Sequence, residues 1–308
     1  MTSFPYPGII IAGPTACGKS GLALELAKRL FDYQKAVIIN ADSMQVYQEL
    51  SIITARPSVE DCAVVPHHLY GVINAQQGGS AGWWKGQAEK IIQDCQSHSI
   101  FPILVGGTGL YLRALTQGLS PIPAIDASVQ QTANQLLQQY KRNFYDYVCQ
   151  QDPLVKDRLK PKDYQRLQRA LEVFLQTQKS IFTWHNESVP ELPSFLFCFI
   201  NPDRKELYQR IDQRFLEMMD QGALEEIQSL KNQDIPAKSP LLKAIGVQEL
   251  FKFLEGSWDL KTAIQQAQQN SRRYAKRQIT WFRHQIPKKL VIETPNIDTL
   301  WSQILSSA

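Results

Sequence analysis

The sequence predicts an α/β protein: a parallel sheet flanked by helices, interrupted by an all-helical insertion lobe. Three observations predict it. Short apolar runs at 9–12, 36–40 and 100–105 alternate with amphipathic stretches, as strands buried on both faces alternate with crossover helices. A glycine-rich segment, Gly13-Pro14-Thr15-Ala16-Cys17-Gly18-Lys19-Ser20, joins the first apolar run to the first amphipathic one. From about Asp126 to Ser188 strand character is absent, and helical runs broken at Pro153 and Pro161 take its place.

Strand, glycine-rich loop and helix (Leu22 to Leu30) follow in the order of a P-loop, so the sheet is expected to be P-loop NTPase-like. The glycines let consecutive backbone N–H groups turn inward, and the helix N-terminus adds a positive dipole end. Gly13 to Ser20 are thus the candidate phosphate cradle, with Lys19 neutralising charge and the Ser20 hydroxyl ligating Mg²⁺. The loop alone does not say which phosphate compound it holds.

The second apolar run, Ala36 to Asn40, ends in Ala41-Asp42-Ser43-Met44-Gln45-Val46-Tyr47. His68 to Ile73 reads as a further, weaker strand, and Trp83 to Cys95 as a helix. Ile100 to Val105 is a strand stopped by Gly106-Gly107-Thr108-Gly109, with a helix from Leu110 to Leu115 behind it. Ligands of parallel sheets bind beyond the carboxyl ends of the strands, so the P-loop, Asp42 and Thr108 are expected to converge on one crevice. The pattern changes at Ser120-Pro121-Ile122-Pro123. A helical insertion over 124–190 is expected between two parts of a catalytic core, 1–123 and 191–308. Within Lys156 to Arg169 there are six basic residues and two acidic ones. Strand character returns at Ser194 to Ile200. A long helix is expected over Arg204 to Leu230, another over Leu260 to His284, and a short closing strand over Lys289 to Glu293.

Composition bounds the function classes. A hydrophobic content of 44% and a charged content of 20% are those of an ordinary globular chain, and a net charge of +4 does not by itself announce nucleic acid. The five cysteines are widely spaced with no C-x-x-C, which supports neither a disulfide framework nor a zinc site. The N-terminus lacks a basic leader pattern and no run has transmembrane length. A cytoplasmic monomer with reduced thiols, off the membrane, is expected.

Several residues could carry chemistry. The strand at 100–105 ends without the carboxylate that P-loop kinases and ATPases use around Mg²⁺. Asp42 follows a core strand and could serve as general base, metal ligand or helix cap. Thr108 could bond a reacting group or cap the next helix. Arg210 and Arg214 lie four apart, beside a stripe of Leu207, Ile211, Phe215 and Met218. Spacing alone leaves open whether that pair is functional or a solvated basic edge. From Leu260 to Lys289 there are eight basic residues and no acid. Such a face, with the 156–169 cluster, points to a polyanion and favours RNA over a small acceptor; the alternative is a solvated face.

Taken together the motifs resemble the tRNA dimethylallyltransferases. The resemblance is carried by Gly13 to Ser20, Ala41 to Tyr47, Pro66-His67-His68-Leu69 and Val105-Gly106-Gly107-Thr108-Gly109-Leu110-Tyr111. It continues through Gln165-Arg166-Leu167-Gln168-Arg169-Ala170-Leu171-Glu172-Val173, Ile245-Gly246 and Ala275-Lys276-Arg277-Gln278-Ile279-Thr280-Trp281-Phe282-Arg283. It runs in family order over nearly the whole chain. The resemblance implies transfer of a dimethylallyl group from dimethylallyl diphosphate to N6 of the adenosine on the 3′ side of the tRNA anticodon. It implies Asp42 as general base, Thr108 and Arg214 at the reacting groups, the P-loop on the diphosphate and Mg²⁺ at Ser20. It implies tRNA contacts at Asp42, Ser43, Met44, Gln45 and Thr108, at Gln130, and at Gln165, Arg166, Leu167, Gln168 and Arg169. Further contacts fall on Lys243, Ala244, Ile245, Gly246, Val247 and Gln248, and on Lys276, Arg277, Gln278, Ile279, Thr280, Trp281, Phe282 and Arg283. The insertion would grip the anticodon stem-loop. The chain departs from the family pattern at Ile53 to Pro57, Leu69 to Gly71, Ser80 to Trp84 and Gln130. No cysteine follows Cys198, so it is similar to the bacterial form, without a C-terminal zinc finger.

Three other readings compete. A P-loop small-molecule kinase or NTPase predicts an acidic strand end, which the sequence lacks. A transferase acting on free adenylate needs neither the insertion nor the basic tail. A non-catalytic RNA-binding protein gives no reason for a complete P-loop.

Overall fold

The structure, a computed structural model, describes residues 6–187, 194–286 and 289–306. The chain divides into two compact units, Met1–Thr116 with Leu192–Ala308, and Gln117–Glu191.

The first unit runs β1 (Ile9–Ala12), α1 (Lys19–Leu30), β2 (Ala36–Asn40), α2 (Val59–Val64), β3 (His67–His68), α3 (Ala81–Ser97), β4 (Phe101–Gly106) and α4 (Gly109–Gln117). The second unit contributes α5 (Ala127–Tyr140), α6 (Phe144–Gln151), α7 (Tyr164–Thr177) and α8 (Ile181–Trp184). The first unit resumes with β5 (Leu196–Ile200), α9 (Arg204–Asp220), α10 (Ala223–Lys231), α11 (Val247–Leu254), α12 (Leu260–Gln285), β6 (Leu290–Ile292) and α13 (Ile297–Ser306).

Among the described residues the sheet has six strands in the order β3-β2-β4-β1-β5-β6, all parallel. Its apolar runs are continuous because both faces are covered, and the period of two sorts their side chains. Ile10, Ile39, Leu104 and Phe199 pack into one core with Trp84 of α3, Tyr111 of α4 and Phe282 of α12. Ile9, Ile11, Ile103 and Cys198 pack into the other, with Leu22 and Leu26 of α1, Leu207 of α9 and Trp301 of α13. β1 is fully enclosed, and each Ile side chain removed from water there contributes about 1.5–3 kcal/mol.

The second unit has its own core, in which Phe144 and Val148 of α6 meet Leu167 and Leu171 of α7. α7 places these apolar residues on one face and Gln165, Arg166 and Arg169, all exposed, on the other.

The structure corrects three expectations. The strand expected over His68 to Ile73 is only two residues long; Leu69 and Gly71 take positive φ (64° and 57°), and Ile73 forms an isolated bridge to Tyr47. The long helix expected over Arg204 to Leu230 is two helices, because Gly222 at φ 99° ends one turn and starts the next. α2, α11 and α13 were not anticipated; α2 starts on a Ser58–Asp61 capping box that the sequence does display. Residues 188–193, which hold the expected end of the insertion, lie outside the described residues, as does Lys288 of the basic tail.

One buried polar residue connects sheet to site. Asn40, fully enclosed at the end of β2, donates to the carbonyls of Leu69 (2.9 Å) and Asp42 (3.0 Å) and accepts from the Asp42 N–H (2.8 Å). Asn40→Leu would orphan several of these groups. It should lower unfolding free energy by about 2–3 kcal/mol, read from urea denaturation. A loss under half of that would mean that water replaces the amide.

Candidate active site

The phosphate loop leaves β1 at Gly13, where a Cβ would lie 2.6 Å from Cys17 Sγ and 3.1 Å from the Ile200 carbonyl. Ala16 (φ 62°) and Gly18 (φ 90°) are left-handed, and α1 begins directly behind them. Successive residues curved in this way form an anion-binding concavity at a helix N-terminus. Lys19 Nζ donates to the Pro14 carbonyl (3.2 Å), and Gly18 and Ser20 are exposed.

Asp42 leaves the end of β2 held on both sides. Asn40 fixes its backbone, and its own Oδ1 accepts from the Met44 N–H (2.9 Å), an Asx turn that orients the carboxylate. The Trp84 indole N–H anchors the preceding carbonyl of Asn40 (2.7 Å). The neighbouring Ser43 N–H donates to Thr108 Oγ1 (2.9 Å), and the Thr108 hydroxyl donates to Ser43 Oγ (3.2 Å). Arg214 extends from α9 to Thr15, with Nη1 3.5 Å from Oγ1. Burial lowers the Arg214 pKa from its ordinary value, and the negative charge of Asp42 works against that shift.

Thr15, Asp42, Ser43 and Arg214 border a cavity of about 280 Å³. Its polar wall is Thr15, Asp42, Ser43, Arg214, Tyr274 and Arg277; its apolar wall is Ile53, Ile211, Phe215, Met218 and Ile245. Ala16 and Arg214 also border a second, more open cavity of about 570 Å³, lined by Gly18, Lys19, Ser20, Arg210 and Glu217. A group carrying phosphates on the loop and an apolar tail toward Asp42 fits this pair of spaces. A shallow groove on α12 is lined by Arg273, Lys276, Arg277, Thr280, Trp281 and His284.

The predicted residues separate under this geometry. Asp42, Ser43, Met44, Thr15, Ala16, Arg214, Lys243, Ala244, Ile245 and Arg277 meet at the main cavity. Gly18, Lys19 and Ser20 meet at the second one. Thr108 borders neither; its hydroxyl is spent on Ser43, so it positions the wall instead of touching a ligand there. The Thr15 N–H also does not serve the cradle, because it donates to Gln278 Oε1 (2.9 Å). Gln45 is turned to the Thr54 and Ala55 carbonyls, both at 2.9 Å. Arg210 pairs with Glu206 (3.4 Å) on the exposed edge of α9.

Six residues expected to contact RNA are enclosed: Leu167, Ala244, Val247 and Phe282 belong to apolar cores, Gly246 is buried beside them, and Gln278 is only 5% exposed. The side chains of Leu167, Val247, Gln278 and Phe282 follow the buried periodicity of their helices, so packing claims them. Gln130, Gln165, Arg166 and Arg169 are exposed on the second unit, with Gln168 half-buried beside them. Lys243, Gln248, Lys276, Thr280 and Arg283 are exposed on the first, while Ile279 and Trp281 are half-buried and Gly246 is buried. The glycines of the Gly-Gly-Thr-Gly segment allow protein, not ligand, to approach. A Cβ at Gly106, Gly107 or Gly109 would lie 2.1 Å from the Ala41 carbonyl, 2.1 Å from Gln278 Nε2 and 2.3 Å from the Trp281 ring respectively.

Sequence reasoning missed Glu226, whose carboxylate accepts from the N–H groups of Ser51 (2.7 Å), Ile52 (2.8 Å) and Ile53 (2.9 Å) and so holds the cavity wall. It missed Tyr274 as a lining residue; its spacing four before Gln278 was the available signal. Burial raises the Tyr274 phenol far above its ordinary pKa, so it remains protonated.

Fold and cavity together define a P-loop α/β protein in which a phosphate cradle faces a carboxylate across an apolar-walled space. The chain belongs to the IPP transferase family, whose model matches residues 45–285. It is 42% identical over 284 residues to a tRNA dimethylallyltransferase of Nitrobacter hamburgensis, covering 91% of this chain and 88% of that one. It is 43% identical to one of Granulibacter bethesdensis, covering 97% and 92%. Among solved structures it matches the tRNA isopentenylpyrophosphate transferase of Bacillus halodurans (TM-score 0.70, 30% identity, 97% of this chain and 95% of that one). It also matches a eukaryotic dimethylallyltransferase acting on tRNA (TM-score 0.81, 26% identity, 97% and 76%).

The two arginine-bearing regions should separate functionally. Arg214→Ala is expected to weaken pyrophosphate binding about tenfold or more and to leave tRNA affinity within about threefold. Arg273→Ala with Lys276→Ala should do the reverse. Titration calorimetry for pyrophosphate and filter binding for tRNA decide the matter; loss of the same ligand by both variants would dissolve the division.

Proposed function

We propose that the protein transfers a dimethylallyl group from dimethylallyl diphosphate to N6 of the adenosine 3′-adjacent to the anticodon in tRNA, releasing diphosphate. The observation that carries this reading is the main cavity. Asp42 and Arg214 face one apolar-walled space beside the phosphate loop, and β4 ends in Gly-Gly-Thr where a phosphoryl-transfer site would carry an acid. The family and the relatives' names support tRNA as the acceptor.

The leaving diphosphate gathers negative charge as the allylic C–O bond breaks. Lys19, Arg214 and the loop amides are placed to stabilise that charge electrostatically. The adenine N6 is a weak nucleophile whose proton becomes acidic as the C–N bond forms, and the Asp42 carboxylate then takes it. The apolar wall from Ile53 to Met218 keeps water from the allylic carbon. The base must leave its stack to enter, at a cost of a few kcal/mol.

Mg²⁺ fits the donors present. The Ser20 hydroxyl is exposed at the start of α1 beside the second cavity, and diphosphate oxygens would complete a hard-oxygen set of the sort Mg²⁺ prefers. When bound, the ion would neutralise diphosphate charge. Exposed Lys156, Lys160, Lys162, Arg166 and Arg169 on the second unit support a grip on the anticodon stem-loop. The tRNA acceptor supports a cytoplasmic location, and we take the chain to act there as a monomer. Among the described residues no helix is long and apolar enough to cross a membrane.

The deciding experiment is incubation with tRNA, Mg²⁺ and labelled dimethylallyl diphosphate, with ATP offered as a competing donor. Label in tRNA is expected and no phosphoryl transfer from ATP. Asp42→Asn should fold and bind tRNA but lose about 10²–10⁴-fold in turnover, and near-normal turnover would remove the base assignment. Replacing Lys160, Lys162 and Arg166 by Ala together should flatten the log–log salt slope of tRNA binding by roughly 2. An unchanged slope would place the RNA elsewhere.

A further inference from the structure

Gln278 sits between the exposed residues Lys276, Arg277 and Thr280, yet its side chain points into the protein. Its amide joins two loops that the sequence separates by more than ninety residues. Oε1 accepts from the Thr15 N–H of the phosphate loop (2.9 Å), and Nε2 donates to the Gly107 carbonyl beyond β4 (2.9 Å). The fit is tight, since Gly107 has no room for a Cβ against Nε2 and its own position also faces the Gly13 carbonyl at 3.1 Å. The Tyr274 phenol, one helical turn earlier, lies beside Gln278 and Thr108. Thr108 in turn holds Ser43, the residue after Asp42.

From this arrangement, and resting on the proposed transfer reaction, we propose that Gln278 is a positioning residue that sets the spacing between the leaving-group cradle and the Asp42 side of the site. At neutral pH the carboxamide presents an acceptor to Thr15 and a donor to Gly107 at once. Asn is one methylene short, Glu loses the donor, and Met loses both. The cradle carries the diphosphate and the Asp42 edge carries the acceptor base, so a shift of one against the other spoils the in-line approach without removing a ligand contact. A misplacement of about 1 Å in such a geometry costs on the order of 10²-fold in rate. The same helix carries the exposed Arg273 and Lys276, so the amide also links the basic face rigidly to the phosphate loop.

The test compares wild type, Gln278→Met, Gln278→Glu and Gly107→Ala, the last pressing on the same amide from the opposite loop. Pyrophosphate affinity, tRNA KM and kcat per folded molecule are measured, the folded fraction coming from near-UV circular dichroism. All three variants are expected to lose about 10–100-fold in kcat, with pyrophosphate affinity and tRNA KM within about threefold of wild type. Gln278→Glu should regain activity relative to wild type as pH falls, because the protonated acid again donates to Gly107. Burial raises its pKa above the ordinary carboxylate value near 4.3, which brings that recovery into an accessible range. Gln278→Met should show no such recovery. Wild-type kcat in Gln278→Met, with only a lower Tm, would overturn the proposal in favour of plain packing. A raised tRNA KM with kcat retained would overturn it in favour of an RNA contact. Absence of transfer by wild type itself would instead refute the reaction, with the binding measurements still readable.

Discussion

The register of three parallel strands is the constraint on which the site depends. Asn40 pairs with Val105, and Ala12 with Gly106, so β2, β4 and β1 end at the same level. Each strand then releases a loop at one edge of the sheet. A parallel sheet places such exits together wherever crossovers bring the chain back from the opposite edge, and a ligand bound there meets segments distant in sequence. At this edge the exits also touch. The Thr108 N–H donates to the Ala41 carbonyl (3.1 Å), a contact that only a residue without Cβ at position 106 permits.

That crowding explains why the conspicuous glycines are not ligand contacts. Close approach of backbone to backbone lets polar side chains reach across, and Asn40, Gln278 and Thr108 use the opportunity. Each satisfies buried N–H or C=O groups on a neighbouring loop, where an unpaired group would cost about 1–3 kcal/mol. The loops are thereby fixed without regular secondary structure. The carboxylate of Glu226 does the same for the turn at 51–53, from the far side of the cavity.

Electrostatics divide along the same geometry. Lys19 and Arg214 lie at the cradle, where a diphosphate would desolvate them and make their charge count. The exposed cations of α12 and α7 remain in water, where charge acts through long-range attraction and counterion release. Several are already engaged at short range: Arg272 is paired with Asp212, Arg166 with Asp163 (3.5 Å) and Arg169 with Glu172 (3.5 Å). A basic count from sequence therefore overstates the charge free to meet a polyanion.

The α/β class, the order of its strands along the chain and the phosphate loop were legible in the sequence, because buried parallel strands are short apolar runs and a P-loop is a contiguous motif with fixed glycine positions. Asp42 and Arg214 were legible as candidates for the same local reason: one follows a strand, the other flanks an apolar helical stripe. Tertiary structure alone decided which face each residue of a motif presents. Within Lys276 to Arg283, Gln278 and Phe282 turn inward while Lys276 and Arg283 stay exposed, and only packing against β5 and the loop after β4 determines that rotation. It also decided that Thr108 supports Ser43, that Gly222 breaks a helix whose apolar pattern continues past it, and that Glu226 closes a turn 173 residues away. These are contacts between segments far apart in the chain, and no local propensity encodes which distant partner will arrive.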